Sequence, residues 1–407
     1  MPDDSFSLTR VRLRHYRSIA DADVELGPLL LLVGPNGSGK SNFLDALRLV
    51  SESLQTSLDQ ALRSRGGVAE VRRRSTGHPT HFAIDLEFLG RDEVVGSFNG
   101  SYGFEVATTR GGGFRVSREY CNIWLANRKN EGVRTADSRY RIEKGELVDQ
   151  SYSSPMPPID DQRLYLIAVS GYPELGAVFA GLSGISVFNM NPAVMRQPQV
   201  PDSGKFLRRD GSNIASVLHA LEPARESVTN DLSRIENYLE QIVPGMRGVS
   251  RVDLGNWETV EFLQDVPGAK FPWRFQAQSV SDGTLRALGV LVALFAGTRR
   301  TLSPIGIEEP ESALHPAAGG VLMDALRDAS ERRQVIVTSH SPDLLDRHDI
   351  DASELRAVRS VAGETVIGKL DSAGLLALRE QLYTPGELLR TDQLLPGRPD
   401  DSAGQVK

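Results

Sequence analysis

Gly34-Pro35-Asn36-Gly37-Ser38-Gly39-Lys40-Ser41 decides how the rest of the chain is read. It fits the pattern G-x-x-x-x-G-K-[ST]. A continuous apolar run, Leu29 to Val33, precedes it and predicts a buried strand. A helical pattern follows, from Lys40 to about Leu62. Strand, glycine-rich turn and helix in this order make a phosphate cradle. The glycines let the backbone curl so that its N–H groups converge on phosphate oxygens, and the helix N-terminus adds its positive dipole end. Lys40 is placed to bridge β- and γ-phosphates, and the Ser41 hydroxyl to ligate magnesium. The alternative is a chance glycine-rich turn.

Two later stretches carry the polar groups that such a cradle needs. Ile305-Gly306-Ile307-Glu308-Glu309-Pro310 is a short apolar strand ending in two acids, expected beside the cradle strand. Successive residues at a strand end point in different directions. Glu308 is therefore assigned to magnesium and Glu309 to the general base that polarises an attacking water. On its own the pair would be a solvated acidic turn. Gln334 to Thr338 is a further buried strand, and it runs into Ser339-His340-Ser341-Pro342. A histidine at that tip can reach a γ-phosphate or the water. His315 follows the acids on a turn and fits either a subunit contact or packing.

Ser279-Val280-Ser281-Asp282-Gly283-Thr284-Leu285-Arg286 precedes a strongly apolar helix. Small polar residues there leave N–H groups and a serine hydroxyl free at a helix start, a second anion site. An ordinary N-cap by Ser281 or Asp282 is the plainer reading, and both can hold together.

The order of these four motifs resembles the ABC-class ATPases, in which Ser281-Asp282-Gly283-Thr284 matches the signature turn. The resemblance is to the RecF/SMC branch and its short bacterial relatives. Tyr16-Arg17-Ser18, Asn42 after the P-loop serine, Glu308 to Pro316 and Thr338 to Pro342 add to it. It covers residues 8–50 and 275–346 well, and the segment between them weakly. It implies an α/β P-loop head with a mixed central sheet, an antiparallel β lobe and a helical signature lobe. It also implies ATP and Mg2+ as ligands and a homodimer in which each head's Ser281 and Gly283 close on the nucleotide of the other. Asn42 and Arg17 become candidate nucleotide contacts, with a surface role the alternative for Arg17. The chain departs from the family in three ways. The signature reads Ser-Asp-Gly-Thr, so Asp282 is expected to point away from phosphate. The metal acid is Glu308 where many relatives have Asp. No glutamine loop stands out, Gln197 and Gln199 being the candidates.

The remaining chain divides accordingly. Residues 1–346 form the ATPase head, with an antiparallel lobe at about 82–150 and a helical lobe at about 160–285. Residues 347–395 form a C-terminal αβ extension, and 396–407 a polar tail of Pro and Gly expected to be disordered. Leu8 to Arg14, Phe82 to Phe88, Gly103 to Thr108 and Phe114 to Glu119 alternate as strands do, and Gly111 to Gly113 suit a hairpin turn. No sustained heptads predict long coiled-coil arms. After His340 the chain lacks the length and acidic pattern of a TOPRIM nuclease, which sets OLD-type nucleases aside.

Composition bounds the partners. Net charge is −7 over 407 residues, which argues against a surface coated for nucleic acid. The single cysteine, Cys121, allows no intramolecular disulfide, and a reducing cytoplasm fits. Arg63, Arg65, Arg72, Arg73 and Arg74 form a basic cluster that could meet DNA phosphates, the alternative being a solvated face. Two functions compete: a DNA-associated ATP-driven machine in repair or anti-phage defence, and an ATP-gated switch for a separately encoded effector protein. A transporter subunit ranks third, because the insertion between cradle and signature is large.

Overall fold

The structure is a computed structural model that describes residues 5–75, 79–126, 137–222, 231–296 and 302–397. The strand before the cradle, β3 (Leu29–Val33), lies inside a six-stranded sheet. Its partners are β9 (Ser186–Phe188), β13 (Ile305–Glu308), β14 (Val335–Ser339), β15 (Leu355–Val361) and β16 (Glu364–Gly368). The order is β16-β15-β3-β14-β13-β9, and only β16 runs antiparallel to its neighbour.

Contrary to the expectation from sequence, the acidic strand β13 does not lie beside the cradle strand. β14 lies between them, so the strand that ends before His340 is the one paired with β3. The helix α10 (Gly319–Ser330) makes the crossover from β13 to β14, and β14 is buried along its whole length. An unbroken apolar run suits that central place, where both faces are covered.

The alternation of β3 sorts its side chains between two cores. Leu30 and Leu32 face α1 (Lys40–Gln55), and Leu29, Leu31 and Val33 face α9 (Asp282–Phe295) and α10. The first helix ends sooner than its periodicity suggested. Ser57 caps a new helix, α2 (Leu58–Arg63), by accepting from Gln60 N at 3.1 Å, and the helical turn is interrupted at Thr56.

A second sheet covers α1. It has the order β2-β1-β4-β5-β6-β7-β8 and is antiparallel throughout. Its strands are β1 (Ser5–Tyr16), β2 (Ile19–Glu25), β4 (His81–Asp92), β5 (Gly96–Thr108), β6 (Phe114–Leu125), β7 (Ser138–Glu143) and β8 (Glu146–Gln150). The antiparallel lobe thus begins with the first strand of the chain, ahead of residue 82.

The stretch 160–285 carries helices as expected, among them α7 (Ile214–Leu221) and α8 (Asp231–Ile242). It also carries β9 of the central sheet and a three-stranded sheet, β10 (Met246–Leu254), β11 (Trp257–Gln264) and β12 (Trp273–Gln276). The stretch 347–395 is no appendage, since β15 and β16 complete the central sheet beside β3. Of the tail, Gly397 N donates to Lys369 O at 2.8 Å, and 398–407 lie outside the described residues. Among the described residues no helix is long and apolar enough to cross a membrane.

Candidate functional site

The cradle loop joins β3 to α1. Gly37 and Gly39 have φ of 75° and 100°, values that side-chain-bearing residues rarely adopt. Gly34 N donates to Ser339 O at 3.4 Å, which clips the loop to the tip of β14. Pro35, Asn36 and Gly37 are exposed at the rim, and Ser41 is exposed at the start of the helix. Lys40 is buried, its Nζ donating to Gly34 O at 2.7 Å and Pro35 O at 2.9 Å. Burial holds its pKa below the ordinary lysine value, opposed by the charges of Glu309 and Glu311. Ser38 Oγ is buried with no hydrogen-bond partner. An orphaned hydroxyl and a desolvated ammonium in a glycine-bearing loop at a helix start fit a polyphosphate.

The back of the loop is held by residues the motif does not include. Thr365 Oγ1, from β16, donates to Ser38 O at 2.9 Å and lies 2.7 Å from Ser18 Oγ. Asn42 Nδ2 donates to Ser18 Oγ at 2.6 Å. Asn42 and Ser18 thus meet as a brace behind the loop. Nothing in the spacing of the sequence pointed to Thr365, which is 325 residues or so downstream of the lysine and approaches only through the sheet order.

Glu308 and Glu309 sit at the C-terminal end of β13, and His340 follows the end of β14. Glu309 N donates to Thr338 O at 3.0 Å, and Glu309 has φ of 46°, a left-handed turn that sends its side chain away from that of Glu308. Glu309 Oε1 lies 3.3 Å from His340 Nδ1, and Ser312 Oγ approaches Glu309 Oε2 at 3.5 Å. Glu308 Oε1 accepts from Arg209 at 2.8 Å. A third acid, Glu311, is buried. It accepts from Ser339 Oγ at 2.6 Å and from His340 N at 3.4 Å, and burial pushes its carboxyl pKa upward. Sequence spacing named Glu308, Glu309 and His340. It missed Glu311 as the group that fixes the His340 backbone and Arg209 as the partner of Glu308.

The signature turn opens α9. Ser281 caps it, its Oγ accepting from Thr284 N at 3.2 Å and lying 2.9 Å from Thr284 Oγ1. Asp282 is drawn outward by Arg196 at 2.5 Å. Gly283 packs on the turn after the acids, where an added Cβ would overlap Ala313 O. His315 is exposed and caps the short helical turn Pro316–Ala318 through Nδ1, at 3.2 Å from Ala317 N.

Several sequence candidates take other roles. Arg17 pairs with Asp45 of α1 at 2.8 Å, its backbone held by Val71 O. Arg65, with a side chain only 1% exposed, pairs with the same Asp45 at 3.1 Å and with Glu52 at 2.5 Å. Arg73 is buried against Glu364 and Ser18 O, and Arg72 donates to Pro79 O. Arg63 and Arg74 are exposed, but each pairs with an acid four residues earlier, Asp59 and Glu70. The basic cluster is thus not a continuous face: Arg65 and Arg73 are buried just after two short helices, where paired acids compensate their charge. Gln199 is buried, accepting from Ala215 N and donating to Met195 O, and Gln197 is exposed on a loop. Neither approaches the acids through a contact. β9 pairs with β13 with Phe188 opposite Ile307, so Asn189, the residue after β9, lies toward the end of the sheet where Glu308 closes β13. A cleft of about 390 Å³ opens there, lined by Asn189, Met190, Asn191, Pro192, Arg209, Asp210 and Arg286.

A parallel-cored mixed sheet, a P-loop on its central strand, paired acids and a histidine on the next two strands, and a capped signature helix define a RecF/SMC-like ABC-class ATPase. Residues 29–346 match the family described as "AAA domain, putative AbiEii toxin, Type IV TA system", and the chain belongs to it. An OLD nuclease of Thermus scotoductus is 23% identical over 414 residues, covering 98% of this chain and 69% of that protein. The sequence reading had set such nucleases aside, yet the likeness runs over nearly the whole chain. The DNA replication and repair protein RecF of Magnetococcus marinus is 39% identical over 92 residues, 21% of this chain and 22% of RecF. Among solved structures, the SMC head bound to the C-terminal winged-helix domain of ScpA has a TM-score of 0.53 at 13% identity, covering 90% of this chain and 99% of that one. The Pyrococcus furiosus Smc head with an extended coiled coil gives 0.53 at 11% identity, covering 93% and 99%. These two likenesses concern the fold.

Proposed function

We propose that the chain binds ATP with magnesium and hydrolyses it, in heads that pair so that the signature turn of one closes on the nucleotide of the other. The observation that carries this reading is the convergence of Lys40, Ser38 Oγ, Glu308, Glu309 and His340 at the C-terminal edge of three adjacent strands. In it Lys40 gives up its two loop carbonyls for β- and γ-phosphate oxygens. Ser41 and Glu308 would hold the metal. Magnesium supplies charge neutralisation on the phosphates. Glu309 takes the proton of the attacking water, and His340, with Nδ1 3.3 Å from the carboxylate, stands on the γ-phosphate side of it. Ser281 and Gly283 act across the dimer, and Asp282, tied to Arg196, stays clear of phosphate.

The process driven is proposed to be DNA-associated, in repair or phage defence, on the strength of the RecF and OLD relatives. One observation favours a second reading, an ATP-gated switch acting on a separately encoded effector: Arg65 and Arg73 are buried and paired, so the cluster offers DNA no contiguous charge. The test is ATP turnover with and without double-stranded DNA, using Glu309→Gln as control, with the same mixtures examined for cut DNA. Turnover that rises with DNA and is lost in the variant supports the machine. Turnover indifferent to DNA supports the switch. No turnover and no nucleotide binding would overturn both.

A further inference from the structure

We propose that Arg209 is a place-holder for magnesium: it occupies Glu308 while the metal is absent and is displaced when Mg-nucleotide arrives. The inference rests on the reading of Glu308 as the metal acid. Glu308 is only 14% exposed at its side chain, and it ends a buried strand beside two more acids. A desolvated carboxylate in such company needs a cation. Arg209 supplies it, at 2.8 Å from Oε1.

The backbone around Arg209 is held by hydrogen bonds on both sides of the loop. Asn189 N donates to Arg209 O at 2.9 Å and Asn191 N to Asp210 O at 3.1 Å, which clips this loop to the continuation of β9, in register with β13. Gly211, with φ of 78°, turns the chain into α7. The Arg209 side chain itself is 44% exposed on the rim of the cleft, with room to swing. Magnesium keeps a tight octahedral shell of oxygens and usually several waters. A hydrated ion and a guanidinium cannot both fill the space beside Glu308 Oε1, so metal and Arg209 compete. Arg286 reinforces the arrangement from α9. It donates to Met190 O at 2.9 Å, its Nε is buried without a hydrogen-bond partner, and it faces the field of Glu308, Glu309 and Glu311.

The experiment titrates magnesium at a fixed concentration of a fluorescent, non-hydrolysable ATP analogue, for the full chain and for Arg209→Ala, Arg209→Lys and Lys40→Ala. The expected result is a fall of about three- to tenfold in the half-saturating magnesium concentration for Arg209→Ala, as befits loss of a partly buried competing ion pair. Arg209→Lys falls between it and wild type. Thermal unfolding without nucleotide gives a second readout: Arg209→Ala melts lower than wild type, and magnesium alone narrows the gap by replacing the lost cation. An unchanged magnesium midpoint in both Arg209 variants would overturn the proposal. So would a raised midpoint, which would make Arg209 a phosphate contact instead. Should Arg209→Ala not fold, Arg209→Lys decides between the same outcomes. Failure of the underlying reading looks different: wild type would then bind no analogue, or Lys40→Ala would bind it equally well.

Discussion

Thr365 Oγ1 stands where a side chain on Gly39 would have to go, so that a Cβ added at Gly39 overlaps it. The contact joins the last strand of the central sheet to the phosphate loop. Thr365 also donates to Ser38 O at 2.9 Å, so the loop is shaped from behind by a hydroxyl as well as from within by its glycines.

Gly39→Ala is therefore expected to abolish nucleotide binding, because φ of 100° and the overlap with Thr365 both oppose the new methyl. Thr365→Val keeps the shape and loses the hydrogen bonds to Ser38 O and Ser18. It should cost about 1–2 kcal/mol of stability and weaken nucleotide binding without removing it. Chemical denaturation and a nucleotide titration check the two effects separately.

Glu309→Gln should keep nucleotide affinity and lower turnover by about 10²–10⁴, the usual worth of a positioned general base. His340→Ala should lower turnover as well, since His340 lies 3.3 Å from Glu309 Oε1. The double variant should lose little more than Glu309→Gln, because the two side chains act on one water. Phosphate release at saturating Mg-ATP is the measurement, and full additivity of the two losses would contradict the assignment.

Glu119 makes a pH prediction in the antiparallel lobe. It is fully buried on β6, with Oε1 accepting from Tyr102 and Tyr140 hydroxyls at 3.1 and 2.7 Å and from Leu166 N at 3.0 Å. Oε2 accepts from Tyr165 N at 2.6 Å. Burial pushes its pKa above the ordinary glutamate value, with the four donors opposing. The folded state therefore holds the proton more tightly than the unfolded chain. Stability from this group is fully present below the unfolded pKa and is lost as pH rises through the folded one. Unfolding free energy measured from acid to neutral pH should show that downward slope, reduced in Glu119→Gln. The variant should also be less stable by about 1–3 kcal/mol, since an amide N–H₂ cannot accept all four donors.

Arg65 and Arg63 separate burial from surface charge. Arg65→Ala leaves Asp45 and Glu52 short of a cation inside the protein and should cost about 1–3 kcal/mol, Arg17 and Arg48 still serving Asp45. Arg63→Ala should leave stability unchanged within error, its side chain being 79% exposed and paired only with Asp59. Urea unfolding of the two variants checks both.

What could be read without a structure was whatever local chemistry dictates. The glycines, Lys40 and Ser41 specify a phosphate turn wherever it lies, because backbone curvature and a helix start are local properties. The apolar runs at Leu29–Val33, Ile305–Ile307 and Val335–Val337 reported buried strands, and all three are buried. The three-stranded sheet after Met246 was not legible, since β12 has only four residues and two of them are exposed. The arginine cluster misled for the opposite reason. Charge can be counted along a chain, but which way each side chain turns depends on the acids that tertiary packing brings opposite it, and Asp45 and Glu364 lie far from Arg65 and Arg73 in sequence.

The same division holds at the site. The phosphate loop is a local reading of one short run, whereas the acid pair and the histidine become candidates only through their order along the chain after that loop. Tertiary structure alone decided that β14 lies between β3 and β13, that Thr365 braces the loop, that Glu311 fixes the tip of β14 and that Arg209 faces Glu308. Those relationships follow from strand order and crossovers, which join residues tens to hundreds of positions apart, and no local pattern encodes which strand will lie beside which.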